Sequence, residues 1–398
     1  MKRNNVLYAF VFGLLVMSML LTACSAAATP TAETTAAATT ATTDTVVPTL
    51  GPTDTAAPTN TAAPTATTAP TATAASTSTP TNAPTATVPP AVCAKLADAP
   101  TVAAGALGSP DKPITIAFVP SGDSGTIATA SSAIADCLNK MTGLTYTIKT
   151  GTSYAATIEA MGAGQAQVGF LNTFSILAAQ AKYGIIPALI NLRNYATNDL
   201  DPDKALKGQL EPFYRGQFIA NTASGIKTFA DLKGKTFCFV EPLSTSGYIV
   251  PRIILKAKGI DPDKDFKATQ NAGSHPNVAI AVYKGDCDAG VTYIDVLTDA
   301  SANLAKTYPD ITDKVKIFAV TDRIPNDGVQ YVKTLDPKIQ AVTTEALLAM
   351  STDPGGKVVL AKLYTINAFQ KIDAAFKMYS DFSAVLKAAG VDPTSLIK

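Results

Sequence analysis

Three hydroxyl side chains in a row, Ser244, Thr245 and Ser246, precede Gly247 in the stretch Glu241-Pro242-Leu243-Ser244-Thr245-Ser246-Gly247-Tyr248. The stretch follows an apolar run at 236–240 and opens a segment of helical character reaching about Lys258. The first N–H groups of a helix have no intrahelical partner and carry a partial positive charge. With hydroxyl donors beside them and a glycine that lets the backbone come close, such a start can hold an anion without Arg or Lys. The same residues also suit the ordinary N-cap of a helix, so this stretch alone leaves both readings open. The chain's one histidine, His275, stands in a second helix start, Gly273-Ser274-His275-Pro276-Asn277. Tyr154 lies on the first turn of a third, opened by Thr152-Ser153. Tyr214 sits in Pro212-Phe213-Tyr214-Arg215-Gly216, and Asp295 ends Tyr293-Ile294-Asp295. Ser246, His275 and Asp295 are also the residue types of a hydrolytic triad. That serine, however, is not in a G-x-S-x-G elbow, and no oxyanion-hole signature accompanies it. With one histidine and no C-x-x-C spacing, neither a metal site nor a cofactor is expected.

The elements that must position these groups alternate. Strands are expected at 114–119, 144–149, 167–171 and 185–192, with helices at 126–141, 154–162 and after 171 through 181. A βαβα order of this kind implies a parallel sheet covered by helices on both faces. The pattern restarts with a crossing strand at 217–221 and strands at 236–240, 286–292 and 315–319. Past Asp322 the chain returns to the first lobe and ends in helices near 338–350, 356–363 and 374–389. The expected domains are a first lobe of 93–215 plus 320–398 and a second of 216–319. In open α/β sheets, ligands sit beyond the carboxyl ends of strands, where loops lead into helix starts. Asn172 and Thr173, just after the third strand, therefore join the candidate ligand contacts.

The words around Thr152–Met161, Tyr214, the Ser244–Gly247 loop, the Gly273–Asn277 start and Lys284–Gly290 resemble the substrate-binding proteins of phosphonate, phosphite and phosphate ABC importers. The resemblance spans most of 114–295. It implies an α/β, class II periplasmic-binding-protein fold, two lobes with parallel-rich sheets joined by a hinge of crossing strands. It also implies a phosphorus oxyanion as ligand, a permease and an ATPase as partners, and a monomeric binder that is not an enzyme. Carried over by position, the ligand-binding set is Tyr154, Tyr214, Ser244, Thr245, Ser246, Gly247, His275 and Asp295. A carboxylate at 295 would accept from a protonated ligand oxygen and repel a fully ionised one. Where relatives carry Gly-Pro and then Ser-Tyr after the third strand, this chain has Leu171-Asn172-Thr173-Phe174, which leaves the substituent on phosphorus open. A ligand sensor coupled to a membrane receptor, or a binder of another oxyanion such as a sulfonate, would use the same parts.

The N-terminus points outward. Met1-Lys2-Arg3 is basic, 6–21 is an apolar run too short to span a bilayer comfortably, and Leu21-Thr22-Ala23 places small residues before Cys24. That order resembles the lipobox of bacterial lipoproteins. It implies cleavage of 1–23, lipid on Cys24 and a membrane-anchored, extracytoplasmic location. From 25 to 92 the chain is Thr, Ala and Pro with few charges or large apolar residues, a composition expected to form a disordered tether. A formal net charge of +1 with scattered Lys and Arg supplies no electrostatic reason to bind nucleic acid. Cys93, Cys137, Cys238 and Cys287 form an even set in an oxidising compartment. Of three possible pairings, Cys93–Cys137 and Cys238–Cys287 keep each bridge within one lobe; four free thiols are the alternative.

Overall fold

The computed structural model describes residues 93–397. The signal segment, Cys24 and the Thr/Ala/Pro-rich stretch lie outside the described residues. β-Branched and aromatic runs broken by turn residues assemble into two sheets. The first contains β1 (Ile114–Phe118), β2 (Tyr146–Thr150), β3 (Val168–Leu171), β4 (Ile186–Asn194), β13 (Gly328–Tyr331) and β14 (Ala368–Lys371). Their order is β14-β4-β13-β3-β1-β2, with β5 (Leu210–Glu211) on an edge of β4. Ile114, Ile116 and Phe118 of β1 are fully buried, as expected of a strand covered on both faces. Helix α1 (Ser124–Thr142) starts at Asp123, whose carboxylate accepts from the Thr126 N–H at 2.8 Å. It stops at Gly143, whose φ of 69° suits glycine.

The second sheet contains β7 (Gly216–Asn221), β8 (Thr236–Phe239), β9 (Ala268–Asn271), β10 (Ala289–Tyr293) and β11 (Val315–Val320), in the order β11-β7-β10-β8-β9. Two short strands, β6 (Phe213–Tyr214) and β12 (Ile324–Pro325), pair antiparallel and carry the chain out of the first lobe and back. The crossing element is thus 213–214, just before the strand expected to cross; 216–221 belongs to the second sheet.

The first sheet is mixed, where alternation alone implied a parallel one. β2, β1 and β3 are parallel, but β13 runs antiparallel between β3 and β4. The reason is topological. β13 enters from the hinge, pairing Gly328 with Leu171 at the carboxyl end of β3, and must therefore run backwards along it. Helices α6 (Pro337–Met350), α7 (Pro354–Ala361) and α8 (Ile372–Ala388) close this lobe. Cys93 is bonded to Cys137 and Cys238 to Cys287, one bridge in each lobe.

The hinge is bound by charge. Arg215, which follows β6, pairs with Asp201 at 3.1 Å and with Asp203, and donates to the Thr321 carbonyl at 2.6 Å. Arg323, which precedes β12, donates to Asp203 at 2.6 and 2.9 Å and lies 4.2 Å from the Phe213 ring centroid. Asp203 therefore bridges the outgoing and returning strands, and the two guanidinium groups hold its carboxyl well below the usual range. Stability from a lowered carboxylate is complete above its unfolded value, about 3.9, and is lost as pH falls below it. Asp203→Asn should lower the thermal midpoint by at least about 3 °C at pH 7, given the strength of a charge-assisted hydrogen bond. The difference from the parent should shrink steadily below about pH 4. Equal midpoints across that range would show that the bridge contributes nothing.

Candidate functional site

Between the lobes lies a cavity of about 50 Å³. The carboxyl ends of β1, β3, β8 and β10 all supply residues to it: Ser121 and Gly122, Asn172, Ser244–Ser246, and Tyr293. Tyr154 opens helix α2 (Tyr154–Gly162), Asn172 immediately precedes α3 (Thr173–Tyr183), and His275 is the first residue of α5 (His275–Lys284). Several helix starts, each carrying partial positive charge, thus face one space.

The hydroxyl-rich loop does not lead into a regular helix. Residues Thr245–Ile249 form a π-helical turn, with the Val250 N–H bonded to the Thr245 carbonyl, and α4 (Val250–Ala257) follows. Pro251 supplies the reason: it has no N–H to give the Gly247 carbonyl. That carbonyl instead accepts from the Val240 N–H at 3.0 Å, tying the loop back to the strand before it. Gly247 serves this packing and does not line the cavity; a Cβ there would lie 2.8 Å from Ser244 Oγ and 2.6 Å from Val240 Cβ. Leu243 and Ile249 are buried in the first lobe's core, so the loop straddles the cleft.

Each hydroxyl has a defined task. Ser244 Oγ accepts from the Gly247 N–H at 3.2 Å. Thr245 Oγ1 accepts from the Phe174 N–H at 2.9 Å and from Asn172 Nδ2 at 2.8 Å. With both lone pairs engaged, its hydrogen is left to donate. Ser246 Oγ accepts from Tyr214 O–H at 3.3 Å. Across the lobes, the His275 N–H donates to the Ser121 carbonyl at 3.2 Å and the Tyr154 N–H to Glu241 at 2.9 Å. These contacts describe a closed cleft.

His275 is buried, and its Nδ1 accepts from the Tyr293 N–H at 3.2 Å. A backbone N–H can only donate, so the neutral ring carries its proton on Nε2, which stands 3.4 Å from Ser244 Oγ. Burial, followed by the charge of Arg193, lowers the pKa of His275 to about 3. The imidazole is therefore a neutral donor at physiological pH. This arrangement does not fit a serine hydrolase: Nε2 holds the proton a general base must accept, its neighbour is Ser244, and Nδ1 faces a backbone amide where a triad requires a carboxylate.

The structure brings Tyr154, Asn172, Tyr214, Ser244, Thr245, Ser246 and His275 to one cavity. It leaves out Gly247, Thr173 and Asp295. Thr173 Oγ1 donates to the Pro325 carbonyl at 2.5 Å beside the hinge. Asp295 stands behind Arg193, 3.8 Å from its guanidinium, and the carboxylates lining the cavity are Asp299 and Asp327. Arg193 itself corrects the expectation of a site without Arg or Lys. It is next to last in β4, lines the cavity, and lies 5.8 and 5.7 Å from the Tyr214 and Tyr293 ring centroids. Burial opposes its charge, but Asp295 and Asp299 outweigh that and raise its pKa. The rule that pointed to Asn172, a polar residue at a strand's carboxyl end, would have found Arg193 as well. Asp327 was hidden because Asn326-Asp327-Gly328 reads as a plain turn, and Tyr364 follows a helix with nothing in its neighbourhood to mark it.

A closed polar cavity between two α/β lobes, lined by helix starts and crossed by hinge strands, defines a solute-binding protein of the class II periplasmic type. The chain belongs to the family described as ABC transporter, phosphonate, periplasmic substrate-binding protein, whose model matches residues 116–376. It is thus the extracytoplasmic substrate-binding component of an ABC transporter. The phosphate-import protein PhnD of Mycolicibacterium smegmatis is 26% identical over 243 residues, covering 56% of this chain and 70% of that protein. The phosphonates-binding periplasmic protein of Escherichia coli is 30% identical over 159 residues, 38% of this chain and 45% of its own length. PhnD1 from Prochlorococcus marinus, solved in complex with methylphosphonate, shares the fold with a TM-score of 0.56 at 17% identity, covering 70% of this chain and 98% of its own. A Pseudomonas aeruginosa phosphonate-transporter binding protein does so with a TM-score of 0.55 at 22% identity, covering 65% and 80%.

Proposed function

We propose that the cavity takes a small phosphorus oxyanion (phosphate, phosphite or a short phosphonate) and that the chain, anchored through lipid on Cys24, presents it as a monomer to a permease driven by an ATPase. One observation carries this reading: Arg193, neutral His275 and the Ser244–Ser246 hydroxyls converge on one enclosed space. A buried water needs about 10–15 Å³. The cavity of about 50 Å³ therefore suits about three to five such occupants, the scale of a phosphorus centre with four small substituents. The methylphosphonate bound by the Prochlorococcus protein and the phosphate import named for the mycobacterial one agree with that scale. Stretch 25–92 would serve as the tether.

Calorimetric titration with phosphate, phosphite, methylphosphonate and sulfate tests the ligand class. At least one phosphorus compound should bind in the micromolar range or tighter, with sulfate weaker by an order of magnitude or more. Preference for sulfate would defeat the proposal.

A further inference from the structure

We propose that Glu241 is a closure latch: its carboxylate, carried by the second lobe, accepts from the start of helix α2 in the first lobe when the cleft is shut, and so holds the bound anion in. The inference rests on the proposed phosphorus ligand and adds how the loaded cleft is kept closed. The Tyr154 N–H donates to both carboxylate oxygens of Glu241, at 2.9 and 3.2 Å. Glu241 stands two residues past β8, and the bond from the Val240 N–H to the Gly247 carbonyl at 3.0 Å fixes its loop to that strand. Tyr154 is packed in the core of the first lobe. When the lobes part, the carboxylate must therefore leave α2.

This contact differs from an ordinary helix cap. Helix α2 has a cap of its own, since Ser153 Oγ accepts from the Ala156 N–H at 3.0 Å. Glu241 is half-buried and forms no ion pair among the described residues. Its charge is therefore balanced by the start of α2, where the first N–H groups carry partial positive charge. Glu241 also stays out of the cavity that Tyr154 lines. Tyr154 thus gives its backbone to the latch and its ring to the cavity, and one residue couples closure to the ligand's seat. The other bonds across the cleft are of a different kind. Phe174 N–H to Thr245 Oγ1 at 2.9 Å and His275 N–H to the Ser121 carbonyl at 3.2 Å are neutral, and the Arg193–Asp295 pair draws on a residue that faces the cavity. Burial pushes the Glu241 carboxyl up, with the Tyr154 amide opposing. Loss of water on closing therefore offsets much of what the bond gains. A contact so balanced holds the lobes together without locking them.

Removing the latch lowers the share of closed protein, and apparent affinity falls in proportion. In the full-length chain saturated with methylphosphonate, the Tyr154 amide hydrogen should exchange with solvent at least about tenfold more slowly than in the free protein. Glu241→Ala should lose that protection while the His275 amide, bonded to Ser121, keeps its own. Calorimetric affinity of the same variant for methylphosphonate should fall at least about fivefold. Glu241→Gln, whose side-chain carbonyl accepts from the same N–H, should recover most of both effects. Parent-like affinity and Tyr154 exchange in the alanine variant would overturn the latch while leaving the phosphorus ligand standing. So would a thermal midpoint lowered equally with and without methylphosphonate, the mark of plain structural support. If the parent bound neither methylphosphonate, phosphite nor phosphate, the ligand class itself would fail, and with it the loaded state that the latch holds.

Discussion

Replacing Arg193 by methionine should weaken binding of methylphosphonate by at least about 100-fold, since a guanidinium can give an oxyanion two charge-assisted bonds worth about 1.5–3 kcal/mol each. The loss goes beyond missing bonds. Arg193 faces Asp295, Asp299 and Asp327. Without it, an entering anion meets carboxylates with no cation between, in a buried space where charges interact strongly. Arg193→Lys should lie between parent and methionine variant, because an ammonium keeps the charge but loses the fork. Calorimetric titration of the three proteins, with thermal midpoints recorded to confirm folding, decides the matter. Equal affinity in the parent and the methionine variant would mean that the anion sits elsewhere.

The second large effect belongs to His275. His275→Ala removes the Nε2–H donor and leaves the Tyr293 N–H without its acceptor at 3.2 Å, so ligand binding should weaken at least tenfold. A separate consequence concerns pH. Because burial holds this imidazole at about 3, its ring proton signals in NMR should not move between pH 5 and 8. As the single histidine of the chain, it can be followed without assignment. The folded histidine refuses a proton that the unfolded chain accepts near 6.5, so its ring costs folding little at neutral pH and increasingly opposes it as pH falls below about 6.5. A ring that titrates near 6.5 would mean that the imidazole is neither buried nor held by Tyr293.

What was readable in the chain was local. The hydroxyl run at 244–246, the capped starts at 153–154 and 274–275, the alternating strands and the even cysteine set depend on near-neighbour rules, while the family resemblance, carried over by position, named Tyr154, Tyr214 and His275, which line one cavity. Two lobes, too, followed from a βαβα pattern that restarts. The misplaced elements answer to constraints outside the periodic pattern: a nearby proline in one case, a partner strand far along the chain in the other. Pro251 withdraws one donor, and the expected helix start becomes a π turn pinned by Val240. β13 runs antiparallel because it returns through the hinge.

The choice of carboxylate shows the division most clearly. Position along the chain favoured Asp295, one loop past a strand, yet tertiary packing set it behind Arg193 and brought Asp327, 32 residues later, to the cavity from the opposite lobe. Local spacing settles which residues begin a helix or cap it, because those bonds close within a few residues. Which charges share a buried space depends on how two sheets meet across a hinge, and only the folded chain holds that information.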